Sequence, residues 1–240
     1  MEARALTTIA EFEEAVKLQK EIWGFADIEL LPRRLFVVAN KIGGQTFGAY
    51  DGDRMIAFLI AIPGLKKDTQ YLHSHMLGAL PEYRDKGIGR MMKLKQREDA
   101  LARGIKLVEW TFDPLELRNA YFNLEKLGAV VRRYVLNQYG TTSSHLHGGL
   151  PTDRCIAEWW IDHPRVHAVL AGRNPDRDQA TARIAVPANI AELRQTDPAQ
   201  ARAIQESVSN QFLEHFRQGL AVVGMDRTPE AGTYLLGPWQ

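Results

Sequence analysis

A single cysteine, Cys155, stands in 240 residues, so no disulfide can form within the chain. No nucleophile motif surrounds it, and it reads as a small apolar residue packed in a strand. An excess of either charge is also missing, with Lys plus Arg at 30 against Asp plus Glu at 29. The electrostatic case for a nucleic-acid or anionic-membrane partner is therefore absent, and neither is expected. No apolar run approaches the ~18 residues of a membrane span, and Met1-Glu-Ala-Arg4 is not a signal peptide, so a cytoplasmic protein is expected. There is no Cys pair and no His-Glu-x-x-His helix. His145 and His147 could be grouped with His73 and His75, but no metal is expected.

Apolar residues make up 45% and charged residues 25%, ordinary for a globular chain long enough for one large or two small domains. The most informative stretch runs from His73 to Arg90, His-Ser-His-Met-Leu-Gly-Ala-Leu-Pro-Glu-Tyr-Arg-Asp-Lys-Gly-Ile-Gly-Arg. It reads as an apolar strand, a tight turn and the start of a helix on which Ile88, Met91, Leu94, Leu101 and Ile105 recur at helical spacing. A helix that starts among glycines leaves its first N–H groups unpaired, with the positive end of its dipole beside them. Gly87 and Gly89 carry no Cβ to keep a phosphate away, while Arg84 and Lys86 add positive charge. The turn is a phosphate cradle. A dinucleotide fingerprint needs a third glycine where Met92 stands, and a Walker loop needs Gly-Lys-Ser/Thr where Gly89-Arg-Met-Met stands.

Along the chain, Ala5 to Thr7 is a possible first strand, and Thr8-Ile-Ala-Glu11 a capping box opening a helix that Gly24 ends. A second helix runs from Pro32 to Lys41. Thr46–Tyr50 and Met55–Pro63 read as strands joined by a turn at Asp51-Gly-Asp53. Thr69–Leu80 is the next strand, followed by the cradle helix, then a strand from Ile105 to Phe112. Leu117, Ala120, Tyr121, Leu124 and Leu127 share a helix face stopped by Gly128; Val130–Tyr139 and Cys155–Ile161 follow as strands. Beyond these, Asp197-Pro198 opens a helix, and Ala182–Val186, Leu220–Gly224 and Thr233–Leu236 read as strands.

Arg84-x-x-Gly87-x-Gly89, with Leu-Gly-Ala-Leu-Pro-Glu-Tyr before it, resembles motif A of the GNAT (Gcn5-related N-acetyltransferase) superfamily, and the element order from Ala5 to Tyr139 is similar to that family's. The resemblance implies an α/β (α+β) fold, with a mixed central sheet whose fourth and fifth strands splay apart. With the C-terminal helix and strands read above, the chain is expected to hold a catalytic domain over residues 1–162 and an α/β extension over 163–240 that extends the sheet or packs beside the acceptor cleft. The resemblance further implies transfer of an acetyl group from acetyl-coenzyme A to a primary amine by direct attack, with no metal. Two alternatives are a non-catalytic coenzyme A-binding or sensing module and transfer of a longer acyl group. The acceptor, a small molecule or a protein, is not legible, nor is the choice between monomer and homodimer.

Carried over by position, Leu77, Gly78 and Ala79 match the strand that pairs with pantetheine, Gly78 being a candidate bulge. Arg84, Asp85, Lys86, Gly87, Ile88, Gly89 and Arg90 match the pyrophosphate turn. Arg118 to Ala129 resembles a second family segment, anchored by Lys-Leu-Gly128. There the tyrosine that protonates the leaving thiolate is replaced by Leu124, and the family's asparagine by Leu117. Asn119 and Asn123 are candidates for the pantetheine amides, and Tyr121 or Tyr139 for the acid. His73 is the candidate base, eleven residues before Arg84, with Glu109 the weaker candidate. Trp110 to Pro114, at the carboxyl end of a central strand, is where acceptor contacts are expected.

Overall fold

The computed structural model describes residues 1–140, 149–173 and 177–239. They divide into two compact units, one spanning Met1–Glu109 and the other comprising the described residues from Trp110 onward. The division falls within a strand, after Glu109. The two histidines at 145 and 147 lie outside the described residues.

The first unit opens with strand β1 (Glu2–Ala5), a few residues earlier than expected, and helices α1 (Ile9–Trp23) and α2 (Arg33–Lys41). The capping box is formed. The Glu11 N–H donates to Thr8 Oγ1 at 3.3 Å, and Glu11 Oε2 accepts from the Thr8 N–H at 2.9 Å. Gly24 ends α1 at φ 67°, the left-handed conformation that glycine adopts without steric cost. Strands β2 (Gln45–Asp51) and β3 (Arg54–Lys66) are joined through Gly52-Asp53, with Asp51 opposite Arg54. β3 runs three residues past its expected end. It turns at Lys67-Asp68 into β4 (Thr69–Ala79), with Lys66 opposite Thr69.

The order in this unit is β1-β2-β3-β4-β5, antiparallel up to β4. The exception is the parallel pair of β4 and β5 (Leu107–Phe112). Their ladder holds Leu72 opposite Val108 and His73 opposite Glu109, and β4 runs six residues beyond it. Phe12, Phe36 and Phe58 form an aromatic core under the sheet, with centroids about 6 Å apart along the chain of contacts.

Helix α3 (Ile88–Ala102) corrects the expected apolar stripe. Its fully buried face is Ile88, Met92, Lys93, Gln96 and Ala100, whereas Met91, Leu94 and Leu101 are half-buried. Lys93 and Gln96 tolerate burial because they satisfy one another. Lys93 Nζ donates to Ser74 Oγ and Gln96 Oε1, each at 3.0 Å, and Gln96 Nε2 donates to Gln45 Oε1 at 2.9 Å. Such pairing depends on β2 and β4 arriving at the helix, which spacing along α3 cannot show.

In the second unit, α4 (Leu117–Tyr121) continues into a π-helical turn at Phe122–Lys126, and Gly128 follows at φ 76°. β6 (Val130–Val135) is shorter than expected, its last residues forming a turn. It pairs with β7 (Arg154–Trp160), in which Cys155 is buried, as a strand residue should be. Two short helices follow that periodicity did not reveal, α5 (Pro164–Leu170) and, after β8 (Ala182–Pro187), α6 (Ile190–Thr196). Then come α7 (Pro198–Arg217), capped by Asp197, β9 (Leu220–Arg227) and β10 (Ala231–Pro238). The order β7-β6-β9-β10-β8 makes the C-terminal strands an extension of the β6–β7 sheet, through Val131 opposite Val222. α7 covers this sheet, with Phe212 stacked on Tyr134 and edge-on to Tyr234.

Candidate active site

The site in the first unit is built on β4. The register between β3 and β4 shifts so that Ile60 faces Met76 and Ala61 faces Ser74, which leaves His75 as the extra residue. The bulge is therefore at His75 and not at Gly78. Gly78 lacks a side chain for another reason: a Cβ there would stand 2.6 Å from the Trp23 ring and 2.9 Å from Ile22 Cγ2. The end of α1 thus lies directly on the strand that the resemblance assigns to pantetheine. Trp23 is held by Phe25, stacked at 5.6 Å, and by Phe58, edge-on at 5.7 Å.

His73 and His75 sit together, rings 5.9 Å apart. Burial pushes the His73 imidazole down to about 4, and the nearby charges of His75, Lys66 and Lys93 add to the shift. Burial also lowers His75. The unperturbed value of ~6.5 expected for His73 is thus replaced by a group that is neutral throughout the physiological range. Beside it, Glu109 is 4% exposed and its Oε2 accepts from Lys66 Nζ at the end of β3. Lys66 gave no sign of itself in the sequence, because a lysine at a hairpin tip ordinarily reads as solvated.

The phosphate turn follows the strand. Asp85 at φ 63° and Gly87 at φ 79° bend the backbone into the N-terminus of α3, which no side chain caps. A Cβ on Gly87 would meet nothing within 4 Å, so the space above this turn is open to a ligand. Arg84, Lys86 and Arg90 are exposed around it, while Ile88 is buried and anchors the helix. Arg84 Nη2 also donates to the carbonyl of Ile22 at 3.1 Å, tying the turn to α1.

The second unit holds the remaining candidates. Asn119 is exposed; Asn123, within the π-helical turn, is 1% exposed, and its Nδ2 is a buried donor without a hydrogen-bond partner among the described residues. π-Helical turns recur at functional sites. Leu124, at the position of the expected tyrosine, is wholly buried. Two cations stand over the Tyr121 ring, Lys126 Nζ and Arg227 Cζ, each 5.6 Å from its centroid. The Tyr139 hydroxyl stands 2.9 Å from Thr111 Oγ1, at the carboxyl end of β5. In the same stretch Asp113 is engaged by Arg194 Nη2 at 2.7 Å, so its carboxylate serves an internal ion pair. Trp110 packs edge-on against Trp159.

Residues 11–128 match the model of the acetyltransferase (GNAT) family. The chain belongs to the GNAT superfamily of acetyltransferases. Membership makes it an acyltransferase, and the parallel β4–β5 pair within a mixed sheet is the GNAT arrangement. Solved structures share the fold at low identity. The ribosomal-protein-S18-alanine N-acetyltransferase of Escherichia coli is 17% identical, with a TM-score of 0.53 over 68% of this chain and 94% of that one. The ribosomal-protein-alanine N-acetyltransferase of Brucella melitensis is 14% identical, with a TM-score of 0.52 over 66% and 98%. An aminoglycoside 6'-acetyltransferase of type Ii is 17% identical, with a TM-score of 0.53 over 68% and 99%. No curated protein matches the chain in sequence.

Proposed function

We propose that this GNAT protein transfers an acetyl group from acetyl-coenzyme A to a primary amine, by direct attack of the amine on the thioester. The observation that carries this reading is the joining of two features on one strand–turn–helix unit. β4 bulges at His75 and runs past its parallel ladder, and α3 begins uncapped at Gly87 under open space. The N–H groups of the α3 first turn, with Arg84, Lys86 and Arg90, suit the pyrophosphate. The backbone of Leu77–Ala79 suits the pantetheine arm, and its amides the thioester carbonyl. The Asn123 Nδ2, without a partner among the described residues, is a donor of the kind a pantetheine carbonyl would accept from.

Two groups on the first unit can handle the acceptor's proton. Glu109 offers a carboxylate to an ammonium, and a neutral His73 next to it has a ring nitrogen able to accept a hydrogen bond from it. Tyr139, placed at Thr111, is the better-supported acid than Tyr121, whose ring is taken up by two cations. Proton handling by these residues leaves the larger share of rate enhancement to orientation of the two substrates.

Calorimetry with coenzyme A tests the reading. Gly87→Val places a side chain in the open space and in a left-handed backbone conformation. Its affinity should fall ~10-fold or more, as expected when backbone donors lose access to a phosphate. Unchanged affinity would reject the cradle. Comparing acetyl with longer acyl thioesters then sets the donor.

A further inference from the structure

Lys66 is held in a small, built cradle. Its Nζ sits 4.8 Å from the centroid of the Tyr71 ring and on the carboxylate of Glu109, which is 4% exposed. The ring has its place because residue 64, opposite Tyr71 in the ladder, is glycine; a Cβ there would stand 2.4 Å from Tyr71 Cζ. His73, the register partner of Glu109, stands beside them and is neutral. An aromatic face, a buried carboxylate and a neutral imidazole together form a receptor for a primary ammonium. In this chain the ammonium is supplied by the protein itself, on an unbranched four-carbon stem from the tip of the β3–β4 hairpin.

We propose that Lys66 occupies the acceptor-amine subsite and is itself an acetyl acceptor, so that the protein acetylates Lys66 in cis when no external amine is present. The inference rests on the functional reading above. In the step, the Lys66 ammonium gives one proton to Glu109, and the free amine forms an N–C bond with the acetyl carbonyl carbon. The C–S bond breaks, and the second proton lost by nitrogen ends on the departing thiolate, giving free coenzyme A. Glu109 returns its proton to water, and Lys66 becomes a neutral acetamide that releases the carboxylate to an external amine. The same cradle favours acceptors that present a primary amine on a slender aliphatic stem.

The test is to incubate the purified protein with acetyl-coenzyme A alone and map acetyl groups by peptide mass spectrometry over time. Lys66 should be modified ~10-fold or more faster than its neighbour Lys67, as intramolecular placement implies. The fraction modified per unit time should not change on dilution of the protein. Lys66→Arg, which keeps a cation for Glu109, should lose the adduct, and Glu109→Gln should slow it. The inference is overturned if Lys66 reacts no faster than Lys67, or if its rate falls in proportion on dilution. Calorimetric coenzyme A binding without any Lys66 adduct overturns it while leaving the functional reading intact. Absence of both binding and thiol release with added amines rejects the two together.

Discussion

His73 on β4 and Glu109 on β5 face one another as the last register pair of the parallel ladder, so an imidazole and a buried carboxylate adjoin where β4 continues paired with β3 but no longer with β5. Their proximity settles how each can act. Burial and surrounding positive charge keep His73 neutral, while Glu109 is held by Lys66.

Because the His73 value lies at about 4, transfer to a primary amine should lose its acidic limb near pH 4 and not near the ~6.5 of a free imidazole. His73→Ala should slow thiol release from acetyl-coenzyme A by ~100-fold with coenzyme A affinity nearly unchanged. Linkage adds a stability signature. The folded value is depressed, so the unfolded chain binds the proton first, and stability present above pH ~6.5 declines as pH falls toward 4. His73→Ala should flatten that slope in urea titrations; an unaltered slope and full activity would return His73 to a packing role.

Gly78→Ala should cost roughly 1–3 kcal/mol, because the added methyl overlaps the Trp23 ring. Chemical denaturation measures the loss. Trp23→Leu in the same chain should recover part of it, and equal additive losses would show that the two residues are not coupled.

Asn123→Leu separates stability from binding. Removing a buried donor that has no partner among the described residues should leave the protein as stable, or stabilise it by up to ~1 kcal/mol. Coenzyme A affinity should fall if Nδ2 serves a ligand carbonyl. Thermal melts with and without coenzyme A report both, and an undiminished ligand-induced shift would remove Asn123 from the site.

Glu11 should contribute to acid stability. Partial burial alone would raise its value; the Thr7 and Thr8 N–H groups, Arg4 and the Thr8 hydroxyl outweigh that and bring it down to about 2. The stabilisation is present above the unfolded value of ~4.3 and is lost as pH falls through 4 toward 2. Glu11→Gln should flatten the stability profile in that window, and a profile parallel to wild type would show that the capping contacts are not maintained in solution.

Features that rest on neighbours in the chain could be read from the residues directly. The Thr8–Glu11 capping box, the turn at Gly52-Asp53, the Asp197 cap and the tight turn at Gly87 were legible because sterics and hydrogen bonds within about four residues set them. The element order through β6 followed from those signals. The remaining features depend on which residues meet across strands. The bulge at His75 is a matter of the β3–β4 register, and the need for glycine at 78 is a matter of the Trp23 ring from α1; neither is written in the residues next to them in the chain. Lys93 became a core residue once Ser74 and Gln96 could accept hydrogen bonds from its amino group, and Lys66 became part of the site once β5 brought Glu109 to the end of β3. Burial and charge are sums over the surrounding space, so the shift of His73 could not be read from any spacing along the chain.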